Sequence, residues 1–211
     1  MNNSREKIKH GKNVKSFIDT MEHLHPYYII SGLSAFIVTV FFIYFLYDLT
    51  IGIIRSGGLP GILLPRILFP GSFLLILSAI PIYRIVIHFE NEEFRKLGMS
   101  LAIIVLTGVI FIGLQLTALS ELIKHNTGTT HPLILRDLVV ILLFHLTGVL
   151  FVFFYSFFKL SNLLIIKHDP VKRLIYFTNI LEKIRLNLLK YIWIYTGYLW
   201  LFLYVYLLMI L

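Results

Sequence analysis

One ionisable side chain in this 211-residue sequence stands apart: His145, near the centre of the charge-free stretch Leu138–Phe158. A histidine at such depth can ligate a haem or metal, or hydrogen-bond a neighbouring helix. A buried haem wants two axial ligands at one depth, and His88, too close to the end of its own stretch, cannot supply the second. His145 therefore reads as a structural hydrogen-bonding group, and Gln115, a polar residue near the end of another apolar stretch, reads the same way. All eleven carboxylates fall in tails, loops or stretch ends, with Glu121 and Asp137 the nearest approaches to apolar sequence. Both read as interfacial groups reached by water. Glu92-Glu93 followed by Arg95 has the composition of a catalytic acidic motif but not its spacing, and reads as a solvated loop. The chain has no cysteine, which excludes disulfides, thiolate metal sites and cysteine nucleophiles. A stand-alone membrane-embedded enzyme fails for want of catalytic groups at one depth.

The elements carrying these residues follow from composition. The chain is 58% hydrophobic and 14% charged, with a mean hydropathy of +0.85, against roughly 45–50% apolar and about 25% charged in soluble domains. Too little polar material remains to cover a soluble core. A membrane-spanning helix needs about 20 apolar residues. Four charge-free runs meet this: Tyr27–Tyr47, Leu97–Ser120, Leu138–Phe158 and Tyr191–Leu211. A fifth, Ile67–His88, spans if Arg84 snorkels toward the surface. The expected fold is an all-α integral membrane bundle of five helices (about 27–47, 67–88, 97–120, 138–158 and 191–211), one domain over 27–211, preceded by a basic tail over 1–26.

Punctuation between the runs is clear. The N-terminal tail lacks the short apolar stretch and small-residue cleavage site of a signal peptide, and Pro26 marks the start of the first helix. Gly57-Gly58, Pro60, Gly61 and Pro65, with Pro70 close behind, make Asp48–Arg66 a constrained surface connection. His125–Pro132 reads as a polar turn. Asp169-Pro170 reads as an N-cap with proline at N1, opening an amphipathic segment over about 170–190. Leu174, Ile175, Ile180, Leu181 and Ile184 fall near one face of it, opposite Lys172, Arg173, Glu182 and Lys183, so it lies at the membrane surface or extends the last span. Gly98, Gly108, Gly113 and Gly148, with Ser31 and Ala35, are expected where helices approach closely.

Lysines and arginines divide fifteen to four between the two sides of this arrangement. The larger set takes the tail, Arg84, Arg95 and Lys96, and seven cations from Lys159 to Lys190; the smaller is Arg55, Arg66, Lys124 and Arg136. By the positive-inside rule the N-terminus is cytoplasmic and the C-terminus external. The net charge of +8 then reports topology and contact with anionic phospholipids rather than nucleic acid.

The C-terminal run Trp193-x6-Trp200-Leu201-Phe202-Leu203-Tyr204-Val205 resembles the last helix of subunit III of haem-copper (cytochrome c type) oxidases. Phe144-His145 sits where that family's penultimate helix carries its Phe-His pair, and Gly113-Leu114-Gln115 where the preceding helix carries its glutamine. Leu68–Tyr83, with Pro70 and Ser78, is similar to the family's proline-led helix. The resemblance covers about Pro26 to Leu211, matching the family's last five helices. It implies an accessory subunit of a bacterial inner-membrane respiratory complex, partnered by the haem-copper catalytic subunit I and other subunits. Haem and copper are then expected in those partners and none in this chain. Structural or lipid-contact roles fall on His145, Gln115, Arg84, Trp193 and Trp200. The chain departs from the family at Ala35, Ala118, Gly148, Ile194 and Gly197, where polar groups are usual; the family's buried acids are gone, which implies a scaffold without its own proton-transfer role. The competing class is a small oligomeric transporter or channel subunit.

Overall fold

The computed structural model describes residues 25–55, 64–126 and 132–210. Among them the chain forms six helices and no strand: α1 (Pro26–Arg55), α2 (Leu68–Glu90), α3 (Phe94–His125), α4 (Pro132–Ile166), α5 (Pro170–Thr178) and α6 (Ile180–Ile210). All but the nine-residue α5 are long and apolar enough to cross a membrane. The protein is a multi-pass, all-α membrane protein. The basic tail over 1–24 and the Gly57-Gly58, Pro60 and Gly61 segment lie outside the described residues, as does most of the turn before Pro132.

The helices outrun the apolar runs at most ends. α1 continues through Asp48 to Arg55, where a surface connection is expected, and α4 runs eight residues past Phe158. Charges stop a hydrocarbon span but not a helix, because backbone hydrogen bonding continues in the headgroup zone. Pro70 falls in the first turn of α2, inside the expected span, a position where proline's missing N–H has no intrahelical partner to lose. Pro132 and Pro170 open α4 and α5 in the same manner.

The chain divides into two compact units, Met1–Thr39 and Val40–Leu211, with the division inside α1. In the first, the Ser34 and Thr39 hydroxyls donate to the Ile30 and Ala35 carbonyls of their own helix; Ser31 and Ala35 belong to this unit. In the second, α2, α3, α4 and α6 form a closed ring of neighbours, α2 against α3 and α6, α4 against α3 and α6. The later part of α1 lies along the ring, with Phe42 against Phe202, Phe45 against Phe144, and Thr50 hydrogen-bonded to the Tyr206 hydroxyl.

Close approach in the ring rests on two glycines. A Cβ at Gly98 would lie 3.2 Å from Leu163, and one at Gly108 3.0 Å from Phe153, so α3 and α4 touch where side chains are missing. Gly113 and Gly148, expected to act alike, have nothing within 4 Å of a Cβ among the described residues.

The α2–α3 turn closes on Glu92, the single non-glycine residue with positive φ (55°) among those described. The Glu93 amide donates to the His88 carbonyl and the Glu92 amide to Phe89, satisfying the last carbonyls of α2. Asp169 caps α5 as expected, accepting from the Val171 and Lys172 amides at 3.0 Å. Those amides, Lys172 first, hold its carboxyl below the usual carboxylate range.

Candidate functional site

Two polar groupings stand out, one inside the ring and one at the end carrying the α2–α3 turn, called the basic end below. Inside the ring, α6 contributes its two tryptophans. Trp193 Nε1 donates to Ser78 Oγ and Trp200 Nε1 to Ser72 Oγ, both at 2.8 Å. Each serine passes its own hydrogen to an α2 carbonyl, Leu75 and Leu68 respectively. A ring N–H in hydrocarbon needs an acceptor, and a serine already bonded to its own helix supplies one without exposing a donor. Trp200 is completely enclosed, its ring 4.8 Å from His145 and edge-on to Phe111 at 5.6 Å.

His145 is buried as expected for a helix-linking group, with Nε2 3.3 Å from the Thr196 carbonyl of α6. Gln115 is buried on α3. Arg84 lies exposed on α2 with no ion pair among the described residues. It is six residues from the helix end, within reach of the surface by its long stem. The structure thus brings His145, Trp200 and Trp193 onto the core seams, while Arg84 faces away from them.

No family model matches the chain, and no curated protein does. Among the described residues, no three histidines or carboxylates come together to hold a metal ion.

The basic end corrects the sequence reading of Lys159. Counted there among loop cations, it lies inside α4, 6% exposed, with Nζ 2.5 Å from Glu182 Oε2 on α6. Arg185 takes the other carboxylate oxygen at 2.7 Å, and Lys159 also sits 5.7 Å from the Tyr155 ring. The apolar run ends one residue before Lys159, so its charge marked a boundary; its partner 23 residues on was invisible to a window search. The Glu182–Arg185 spacing of three was the available signal, since it places both on one helix face. Asp137, expected as an interfacial group reached by water, is 8% exposed and held by the adjacent Arg136 at 2.8 Å.

The segment expected as one amphipathic helix over 170–190 breaks at Asn179, whose Oδ1 accepts from the Leu181 amide. Apolar and charged side chains are exposed together along it, Lys172 among them. Val171, Leu174, Ile175 and Ile180 are exposed. Tyr176 and Phe177 turn inward onto Phe89, Phe177 also onto Phe94, and Arg173 stacks over Phe94 at 4.5 Å. Burial pushes the Tyr176 hydroxyl well above the ordinary tyrosine range, and the charge of Glu182 adds to it. Lys183 reaches Glu90 of α2 at 2.7 Å. The turn itself is clasped by Glu93, bonded to both His88 and Lys96 at 2.6 Å; Lys96 and then His88 hold its carboxyl below the usual range. The grouping can fix helix ends and present cations to anions at the membrane surface.

Proposed function

We propose that this chain is a non-catalytic, subunit III-like component of a respiratory haem-copper oxidase in a bacterial inner membrane, N-terminus cytoplasmic and C-terminus external. The observation that carries the reading is the C-terminal tryptophan run. Its two tryptophans form the interior hydrogen bonds that fasten α6 to α2, so the segment most like the oxidase subunit also holds the bundle together. In this reading the chain packs beside the catalytic subunit, which holds haem and copper. Lys167 beyond α4, Lys172 in the first turn of α5, and Lys183 and Lys190 along the first part of α6 attract anionic phospholipid, each nearby cation contributing about 1 kcal/mol before screening.

A second reading, an oligomeric transporter or channel subunit, draws on the buried Lys159–Glu182 pair, because charges inside membrane helices commonly line transport paths. The pair lies near the helix ends and is closed by Arg185, which favours a clasp over a path. Mild-detergent extraction of the chain from its native membrane, followed by identification of what accompanies it, separates the two. The oxidase reading expects the haem-copper catalytic subunit. The chain recovered alone as an oligomer that conducts ions in liposomes supports the second.

A further inference from the structure

Two buried nitrogens on neighbouring helices have no hydrogen-bond partner among the described residues: Gln115 Nε2 on α3 and His145 Nδ1 on α4. Their residues are 5% and 4% exposed. The α3–α4 register brings them to one depth. Gly98 faces Leu163 and Gly108 faces Phe153, so ten residues along α3 correspond to ten residues back along α4. Continued in the same direction, that register sets position 116 level with His145. Phe111, one turn from Gln115 and on the same helix face, meets the His145 ring edge-on at 5.8 Å, so both residues address the same seam.

Their hydrogen-bonding characters are complementary. The Thr196 carbonyl can only accept, so His145 Nε2 carries a hydrogen, and the neutral ring offers Nδ1 as an acceptor. The Gln115 amide nitrogen is a donor. Surrounding apolar rings and lipid supply neither partner, and an unmade bond leaves the whole desolvation penalty on each group.

We propose that one internal water is bound between α3 and α4, accepting from Gln115 Nε2–H and donating to His145 Nδ1. Water suits the site because it alone among common small species both accepts and donates within one atom's reach. A metal ion would find a single lone pair there. The site is independent of the proposed oxidase assignment and would serve as a hydrogen-bond link joining α3, through His145 and Thr196, to α6.

The test is water-edited solid-state NMR on the full chain in lipid bilayers with isotope-labelled histidine. His145 is assigned through the Phe-His dipeptide, which occurs once in the sequence. The expected result is a ring protonated at Nε2, unprotonated at Nδ1, and receiving magnetisation from a slowly exchanging water. Gln115→Met should abolish that transfer while leaving the tautomer, which Thr196 fixes. A native ring with no water transfer, a direct Gln115–His145 bond, or transfer unchanged in Gln115→Met would each overturn the proposal. The native spectrum decides alone if the variant does not fold.

Discussion

Along the seam between α2 and α6 the same two helices are fastened in two chemically different ways. In its interior the fasteners are neutral, Trp193 on Ser78 and Trp200 on Ser72; at the basic end the fastener is Lys183 on Glu90, a full ion pair. The three contacts keep one antiparallel register, so what changes along the seam is depth rather than geometry. An ion moved from water into a medium of low dielectric loses several kcal/mol of solvation even after relaxation, which a single partner rarely returns. A ring N–H given a serine oxygen loses little. Full charges therefore gather where water and headgroups reach. Lys159–Glu182 on the neighbouring α4–α6 seam is a buried charge pair near the helix ends, and there Glu182 takes two cations.

The interior fastener should carry the largest effect. Trp200→Ala is expected to destabilise the bundle by about 3–5 kcal/mol, the range for emptying a buried aromatic site. Trp200→Phe keeps most of the packing and should lose about 0.6–2 kcal/mol, the worth of one membrane hydrogen bond. Reversible unfolding in detergent or bilayer measures both; equal losses would mean the Ser72 bond, not the ring, holds the seam. Next comes Lys159→Met, which strands Glu182 with Arg185 alone. It should fall toward the lower end of the ~3–5 kcal/mol seen when one partner of a buried pair is removed. Adding Glu182→Gln should recover most of that loss, and a double variant no better than the single would show that the pair does not act as a unit.

Glu90→Gln should cost at most about 1 kcal/mol in the same assay, because both it and Lys183 are substantially exposed and screened. A loss as large as that of Trp200→Ala would erase the distinction between the two ends of the seam. The smallest effect is pH-dependent and local to the α2–α3 turn. Glu93 titrates below the ordinary carboxylate range when folded, so its bonds to Lys96 and His88 contribute fully above the unfolded value. They are lost as pH falls through the lowered folded value. Amide exchange at Glu92 and Glu93 should quicken only in that acidic window; quickening already near neutrality would place the turn's stability elsewhere.

The five long helices were legible because charge-free runs of about 20 residues have few other fates in a chain this apolar. Their ends were not, since α1 and α4 continue helically through Asp48 and Lys159. Residue type identified Lys159 as a charge but could not reveal Glu182 across the seam. Four glycines looked equivalent, yet only the α3–α4 register decides that Gly98 and Gly108 meet a neighbouring side chain while Gly113 and Gly148 meet none. The apolar set over 174–184 is divided by the break at Asn179, Leu174 and Ile175 falling on α5 and Ile180, Leu181 and Ile184 on α6. The tryptophan spacing is a motif in the sequence, but the serine partners lie 115 and 128 residues away and only the antiparallel fold unites them.

The proposed function makes this bundle a scaffold whose haem and copper belong to partner subunits. Its most direct measurement is the haem absorption spectrum of the affinity-purified chain, recorded in its native assembly and again after separation from its partners. Haem bands in a fixed ratio to the chain are expected in the assembly, and a colourless chain once it is separated. A haem band retained by the isolated chain, or an intact assembly with no haem at all, would contradict it.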